Sequence, residues 1–253
     1  MTLRWVPGWN GLNEPEAVSY VAAVEAADGQ ELEFGVARAI NDFVTGCKQD
    51  KIWDAIKACC ILAGARTLDG CLVPLVGVAP TRNGTEAGWN YNRETGLAGN
   101  ATNNYLNSNR AANASSVINN HFALYAASMP TANFTALAGA DTFYRISRGN
   151  GQVLNSQNHS SISQLNTTLF TAGFIGMSRS AQDSYVVRGN GSSITASKSQ
   201  DRTSTSNVSI FASGTTQYSN ARLSFYSIGE SLDLAALDTR VSNLITAIGA
   251  AIP

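Results

Sequence analysis

The sequence predicts a mainly β protein: an antiparallel β-sandwich, preceded by an α-helical leader and closed by a C-terminal helix. Three observations predict it. Apolar residues recur at helical spacing only in the first sixty or so residues and the last twenty. Between them lie short apolar or alternating runs, bounded by Asn, Ser and Gly clusters. The chain then ends on a strand, a glycine and an amphipathic helix. The corresponding division is an arm and helical leader over 1–64 and a sandwich with its closing helix over 65–253.

The first residues contain Trp5 and Trp9 among Pro7, Gly8 and Gly11. They read as an irregular arm. Two indole rings so close together need burial, either by the domain itself or by a neighbouring subunit, which makes Trp5 and Trp9 candidate partner-binding residues. Asn13 is positioned to cap a first helix starting at Glu14-Pro15, with Val18, Val21, Ala22 and Ala26 on one face and Gly29 at its end. A second helix is expected over 31–45, with Leu32, Val36, Ile40 and Phe43/Val44 inward and Gly46 as its C-terminal residue. A third is expected over 50–62, carrying Ile52, Trp53, Ile56, Cys59 and Cys60 and closed by Gly64.

From Cys71 to Val76 an apolar run interrupted by Pro74 reads as an edge strand. Further strands are expected near 104–107, 119–128, 133–137, 142–147, 151–154, 169–178, 184–188, 193–197, 207–212 and 221–228. Gly149-Asn150-Gly151 and Gly189-Asn190-Gly191 are hairpin turns by composition, because these residues accept positive φ. The last strand carries Leu223, Phe225, Tyr226 and Ile228 and is expected at the centre of the sandwich. Gly229 would leave it with positive φ, and Ser231 would cap the final helix. Leu234, Leu237, Val241, Leu244, Ile245 and Ile248 form that helix's apolar stripe, ended by Gly249 and Pro253.

Charged residues make up 14% of the chain and the formal net charge is −1. The bases between 81 and 229 are too dilute for a phosphate-tracking surface, so no nucleic-acid partner is expected. No apolar run approaches the length of a membrane span, and the N-terminus has no basic-then-apolar signal pattern. Cys47, Cys59, Cys60 and Cys71 crowd into one region without metal spacing. They are expected to be reduced, mostly buried thiols in a protein made in a cytoplasm, and the Asn-x-Ser/Thr triplets to carry no glycan.

Three stretches then carry a family likeness: Gln49 to Ala58 with Ala63-Gly64, Gly96-Leu97-Ala98-Gly99 running into Tyr105-Leu106-Asn107, and Tyr218 to Gly229 with the helix after it. Over about 40–253 the chain resembles structural proteins of tailed-bacteriophage virions that carry a concanavalin A-like (lectin or laminin G) jelly-roll domain. The resemblance implies that fold. It also implies a virion localisation, in capsid decoration or in a tail or baseplate, with contacts to other virion proteins and to further copies of the chain, a trimer among the options. It does not imply an enzyme.

Catalysis is also not expected from the residues, and a glycoside hydrolase on the same fold, whose acids would have to meet from distant parts of the chain, is the least favoured of three readings. The acids between 81 and 229 are Glu86, Glu94, Asp141, Asp183 and Asp201, and no two stand at i and i+2, where one strand face would bring them together. The same sparseness speaks against calcium, and no metal or cofactor is expected. His121, beside Phe122 in an apolar run, reads as a satisfied structural residue, and His159 as an exposed loop residue. A metal-free glycan site needs aromatic faces and amide groups. Trp89, Tyr91 and Asn92, with Asn103, Asn104 and Tyr105, are the candidates for binding a host-surface glycan. The alternative for Trp89 is packing over the sandwich edge or against a partner subunit.

Overall fold

The structure is a computed structural model that describes residues 11–150, 154–159, 165–167, 172–200 and 204–253. Trp5 and Trp9, and the far side of the turn at Gly149-Asn150-Gly151, lie outside the described residues. The leader forms α1 (Pro15–Asp28) and α2 (Phe34–Gln49), then β1 (Ile56–Ile61) and a short α3 (Leu68–Cys71). The strands that follow are β2 (Thr81–Asn83), β3 (Asn90–Asn92), β4 (Gly96–Ala98), β5 (Tyr105–Ala111), β6 (Asn120–Ser128), β7 (Ala136–Asp141) and β8 (Tyr144–Arg148). After them come β9 (Leu154–Asn158), β10 (Leu165–Thr167), β11 (Gly173–Arg179), β12 (Ser184–Gly189), β13 (Ser192–Ser197), β14 (Asn207–Ile210), β15 (Arg222–Gly229) and α4 (Leu234–Ala251).

These strands make two antiparallel sheets, the β-sandwich the sequence predicts. One runs β13-β12-β11-β6-β15-β4-β3, and the other β10-β9-β8-β7-β14-β5-β2. β15 is central. It pairs with β6 along its whole length on one side, and on the other with β4 through Arg222–Leu223 and with β1 from Phe225 onward. Strand alternation sends Phe122 inward, where its ring lies 5.8 Å from that of Tyr144 on the facing sheet, and His121 outward. Helices α2 and α4 cover the outer face of the first sheet, where Phe43 meets Phe225 edge-on at 5.7 Å.

The C-terminal helix is held by burial. Leu234, Leu237, Val241, Leu244 and Ile248 are buried as the sequence predicts, and Ile245 is partly so. Each such side chain contributes roughly 1.5–3 kcal/mol on transfer from water. Together they outweigh by far the ~1 kcal/mol of a good cap. That cap is Asp233, whose Oδ1 accepts from Ala235 N at 2.8 Å and Ala236 N at 3.3 Å. Ser231, the expected cap, instead donates to Asn119 Oδ1. Gly249 lies inside the helix.

The helical leader departs from expectation in several places. The third helix is not formed: after a 3-10 turn at Trp53–Ala55, residues 56–61 are β1. Its apolar pattern fits either element, and pairing with β15 decides the outcome. Consequently the sequence division at residue 64 falls after a strand that belongs to the sandwich sheet. α2 runs on to Gln49, so Gly46 is interior. Its missing Cβ leaves room for Arg240, which crosses 2.7 Å from where that Cβ would sit on its way to Asp50. α1 buries Ala17, Tyr20, Val21 and Val24, so of the expected face only Val21 is buried, and Val18, Ala22 and Ala26 are exposed. No side chain caps it; the carboxamide of Asn41 accepts from Asn13 N and Glu14 N instead. The run Cys71–Val76 is no edge strand: it leaves α3 through a turn and makes a single bridge, Cys59 to Val76.

Most of the expected strands between 104 and 228 form within a few residues of their expected bounds. β1 to β4 and β10 were not expected as strands, and all but β1 are only three residues long. The Gly189–Gly191 hairpin forms, with Asn190 at φ 52 and Gly191 at φ 71. Gly229 does not take a positive φ. It is a glycine because a Cβ there would lie 1.9 Å from the carbonyl oxygen of Ala55.

Candidate functional site

The candidate glycan residues fall into two groups. The first is Trp89, Tyr91 and Asn92, on and before β3. The Trp89 ring packs edge-on against Phe211, with centroids 5.7 Å apart, and Phe211 is fully buried. Trp89 therefore closes the sandwich edge, the alternative noted for it above. The Tyr91 hydroxyl donates to Ala65 O at 2.6 Å, and burial pushes its pKa well up. Asn92 Oδ1 accepts from Glu94 N, Thr95 N and the Thr95 hydroxyl, which shapes the turn between β3 and β4. On that turn Arg93 reaches back to the leader. Its Nη2 donates to Glu33 Oε2 at 2.6 Å and its Nη1 to Oε1 at 3.2 Å, while Arg66 approaches Glu33 from the other side. The hydrogen bonds from Arg93 hold the Glu33 carboxyl below its usual range. This group thus joins leader to sandwich.

The second group stands on the other sheet. Asn100 Oδ1 accepts from the backbone N–H of Thr102, Asn103 and Asn104, each at 3.0 Å, and Asn100 Nδ2 donates to Asn103 Oδ1. Asn104 is buried and exchanges hydrogen bonds with the Thr85 backbone. This knot presents Tyr105, half-exposed at the start of β5. Its ring lies 6.1 Å from that of Tyr218, also half-exposed, whose hydroxyl donates to Thr215 O. The structure therefore does not bring Trp89 and Tyr105 into one platform. It makes a different aromatic pair, Tyr105 with Tyr218, and sequence reasoning missed Tyr218 because its partner is 113 residues away. Asn103 sits beside that pair in sequence, with its carboxamide oxygen already engaged.

Several titratable groups are absorbed into the architecture, while Glu94 and Asp183 are exposed and Asp201 lies outside the described residues. His121 is fully buried. Its Nδ1 donates to Glu230 O, and its Nε2 accepts from the Ser227 hydroxyl at 2.7 Å, so burial brings its pKa down to about 4. His159, expected to be exposed, is also fully buried, with its ring 6.0 Å from that of Tyr185. Glu86 pairs with Arg82, and Asp141 Oδ1 accepts from Phe143 N and Tyr144 N to close the β7–β8 turn. Among the described residues no group of three or more His, Cys, Asp or Glu side chains converges as a metal site. Among them, too, no helix is long and apolar enough to cross a membrane. Cys47, Cys59, Cys60 and Cys71 are free and buried.

No family model and no curated protein matches the chain. Solved structures do. A Trypanosoma rangeli sialidase in complex with the inhibitor DANA matches with a TM-score of 0.50 at 10% identity, over 82% of this chain and 38% of the sialidase chain. The binding domain of botulinum neurotoxin serotype D matches with a TM-score of 0.51 at 9% identity, over 75% of this chain and 51% of that one. The chain thus spans about two fifths to one half of these neighbours. At such identity the likeness shows the fold alone. It still corrects the expectation that this chain is not an enzyme: the same sandwich recurs within a sialidase, so the scaffold does not separate catalytic from non-catalytic chains, and sparse acids in one segment cannot carry that distinction.

Proposed function

We propose that this chain is a structural protein of a tailed-bacteriophage particle, on the capsid exterior or in the tail, where it assembles with other particle proteins. One observation supports this reading above others. The three stretches that carry the resemblance to such proteins are far apart in sequence, yet parts of all three meet around β15, while Tyr105–Asn107 of the second opens β5 on the facing sheet. Gln49 to Ala58 leads into β1, which pairs with β15; Gly96–Ala98 is β4, which pairs with it at its other end; and α4 follows it and packs on α2. Residues shared with that family would then be those that build one folding unit. The test is to purify particles from an infected culture, identify their proteins by mass spectrometry, and label this chain with a gold-tagged antibody. Labelling at a fixed place on the particle is the expected result. Recovery of the chain only from the particle-free lysate would reject the proposal.

A second reading, contact with a host-surface glycan, is favoured by the Tyr105–Tyr218 pair. Two half-exposed rings beside an amide-rich turn offer apolar faces and polar edges together, as sugar recognition requires. Binding to a glycan array that disappears in Tyr105→Ala and persists in Arg38→Ala would support it. An array with no signal above background would dismiss it.

A further inference from the structure

We infer that a cleft at the start of α4 is a binding site for a single neutral sugar ring, distinct from the Tyr105–Tyr218 pair on the other sheet. The cleft is open to solvent and holds about 250 Å³. Its base is the outer face of the β11–β12–β13 edge. Antiparallel register puts Ser178 opposite Val186, and Arg188 opposite Ser193. The period of two along each strand places Val186 and Arg188 on one face, so one surface carries hydroxyls around an apolar patch. The opposite wall is the segment Ser231–Ala235, where α4 begins.

The chemistry of the walls selects the ligand. Ser178 is tied across the cleft: its hydroxyl donates to Leu232 O at 3.0 Å and accepts from Leu232 N at 3.1 Å, which fixes the distance between base and wall. Arg188 donates to the Ser193 hydroxyl and is itself held by Asp238 at 2.8 Å, so the rim is ordered as well. Asp233 uses Oδ1 to cap the helix, leaving Oδ2 as an acceptor at the wall. An anionic ligand is disfavoured, because the Asp233 carboxylate already occupies the helix N-terminus. A hard cation is disfavoured, because one carboxylate is too few for its shell. What remains is a neutral, hydroxyl-rich molecule. Vicinal hydroxyls would donate to Asp233 Oδ2 and exchange hydrogen bonds with Ser180 and Ser193, while Val186 and Leu232 meet the ring's C–H face. The volume covers one ring, and the open side of the cleft leaves the rest of a longer glycan in solvent.

This inference deepens the glycan reading but does not depend on the tyrosine pair. Its test uses the full chain with the methyl glycosides of glucose, galactose, mannose and N-acetylglucosamine, by saturation-transfer NMR and titration calorimetry. At least one should bind. Asp233→Asn keeps a good helix cap but loses the charged acceptor, and should weaken binding about tenfold, the size of one charge-assisted hydrogen bond. Ser193→Trp, on an exposed edge strand, should abolish it by filling the cleft. Tyr105→Ala should leave this binding unchanged even where it removes an array signal, which separates the two sites. Absence of binding by all four glycosides, or binding that survives Ser193→Trp in a variant with an unaltered circular dichroism spectrum, would overturn the inference.

Discussion

The imidazole of His121 accepts the hydroxyl of Ser227 at 2.7 Å on a face of the sheet that water does not reach. Its other nitrogen donates to the carbonyl of Glu230, at the joint between β15 and α4. A proton added at Nε2 would turn that acceptor into a donor facing the Ser227 oxygen and place a charge in a desolvated site. Folding therefore opposes protonation, and stability depends on pH. The pKa falls from 6.5 to about 4 in the folded chain. The stability this neutral histidine preserves is complete above pH 6.5 and is lost as pH falls toward 4, by about 3 kcal/mol in all. Urea unfolding at pH 7, 6 and 5 should show this decline. Carboxylates such as Glu33 and Asp50, also lowered, act only at more acidic pH. An unfolding midpoint that is the same at all three values would refute the role assigned to His121.

A methyl group at position 229 should be far more harmful than its size suggests. The Cβ of Gly229→Ala would sit 1.9 Å from the carbonyl oxygen of Ala55 and 3.0 Å from the His121 ring. Backbone must move, at a cost of about 3 kcal/mol or more. For a chain of this length that lowers the melting temperature by roughly 6–12 °C. A thermal melt of the variant within 2 °C of the parent, on about the scale of a neutral surface change, would contradict the packing described.

Trp89→Ala and Tyr105→Ala should separate stability from recognition. Trp89, like Tyr105 only partly buried, packs on the core over buried Phe211, so its truncation should cost about 2 kcal/mol in denaturant unfolding. Tyr105 is half-exposed, so its loss should cost under about 1 kcal/mol. Equal costs would mean that the two rings are used alike.

The four thiols should be inert in the native chain. Burial raises Cys47 and Cys60 to about 12, and pushes Cys59 and Cys71 up as well. The thiolate is the nucleophile, and at pH 8 almost none is present. Iodoacetamide should label none of them before denaturation and all four after it. Rapid labelling of Cys59 or Cys60 in the folded protein would place β1 elsewhere.

Residues that answer to local rules were legible in the sequence. The α4 stripe, the Gly189–Gly191 hairpin and the strands from β5 to β15 other than β10 follow from periodicity and turn chemistry, which neighbours in the chain set for themselves. β15 itself was legible as the central strand, because its apolar residues on both faces leave no side for water. The local signals misled wherever a distant partner competes with them. Ile56–Ile61 can be helix or strand, and only β15 beside it makes it a strand. Gly229 and Gly46 mark close approach by Ala55 and Arg240, not a turn or a helix end. The candidate site divides in the same way. Sequence spacing identified Tyr105 but grouped it with Trp89, which lies near it in the chain. The fold instead brings Tyr218 beside Tyr105, across 113 residues, and sets the α4 cleft between segments more than thirty residues apart. Which residues are apolar, polar or free to turn was determined by the sequence alone. Which of them touch was decided by the pairing of sheets and helices, because contact between distant segments depends on register and packing that no local window contains.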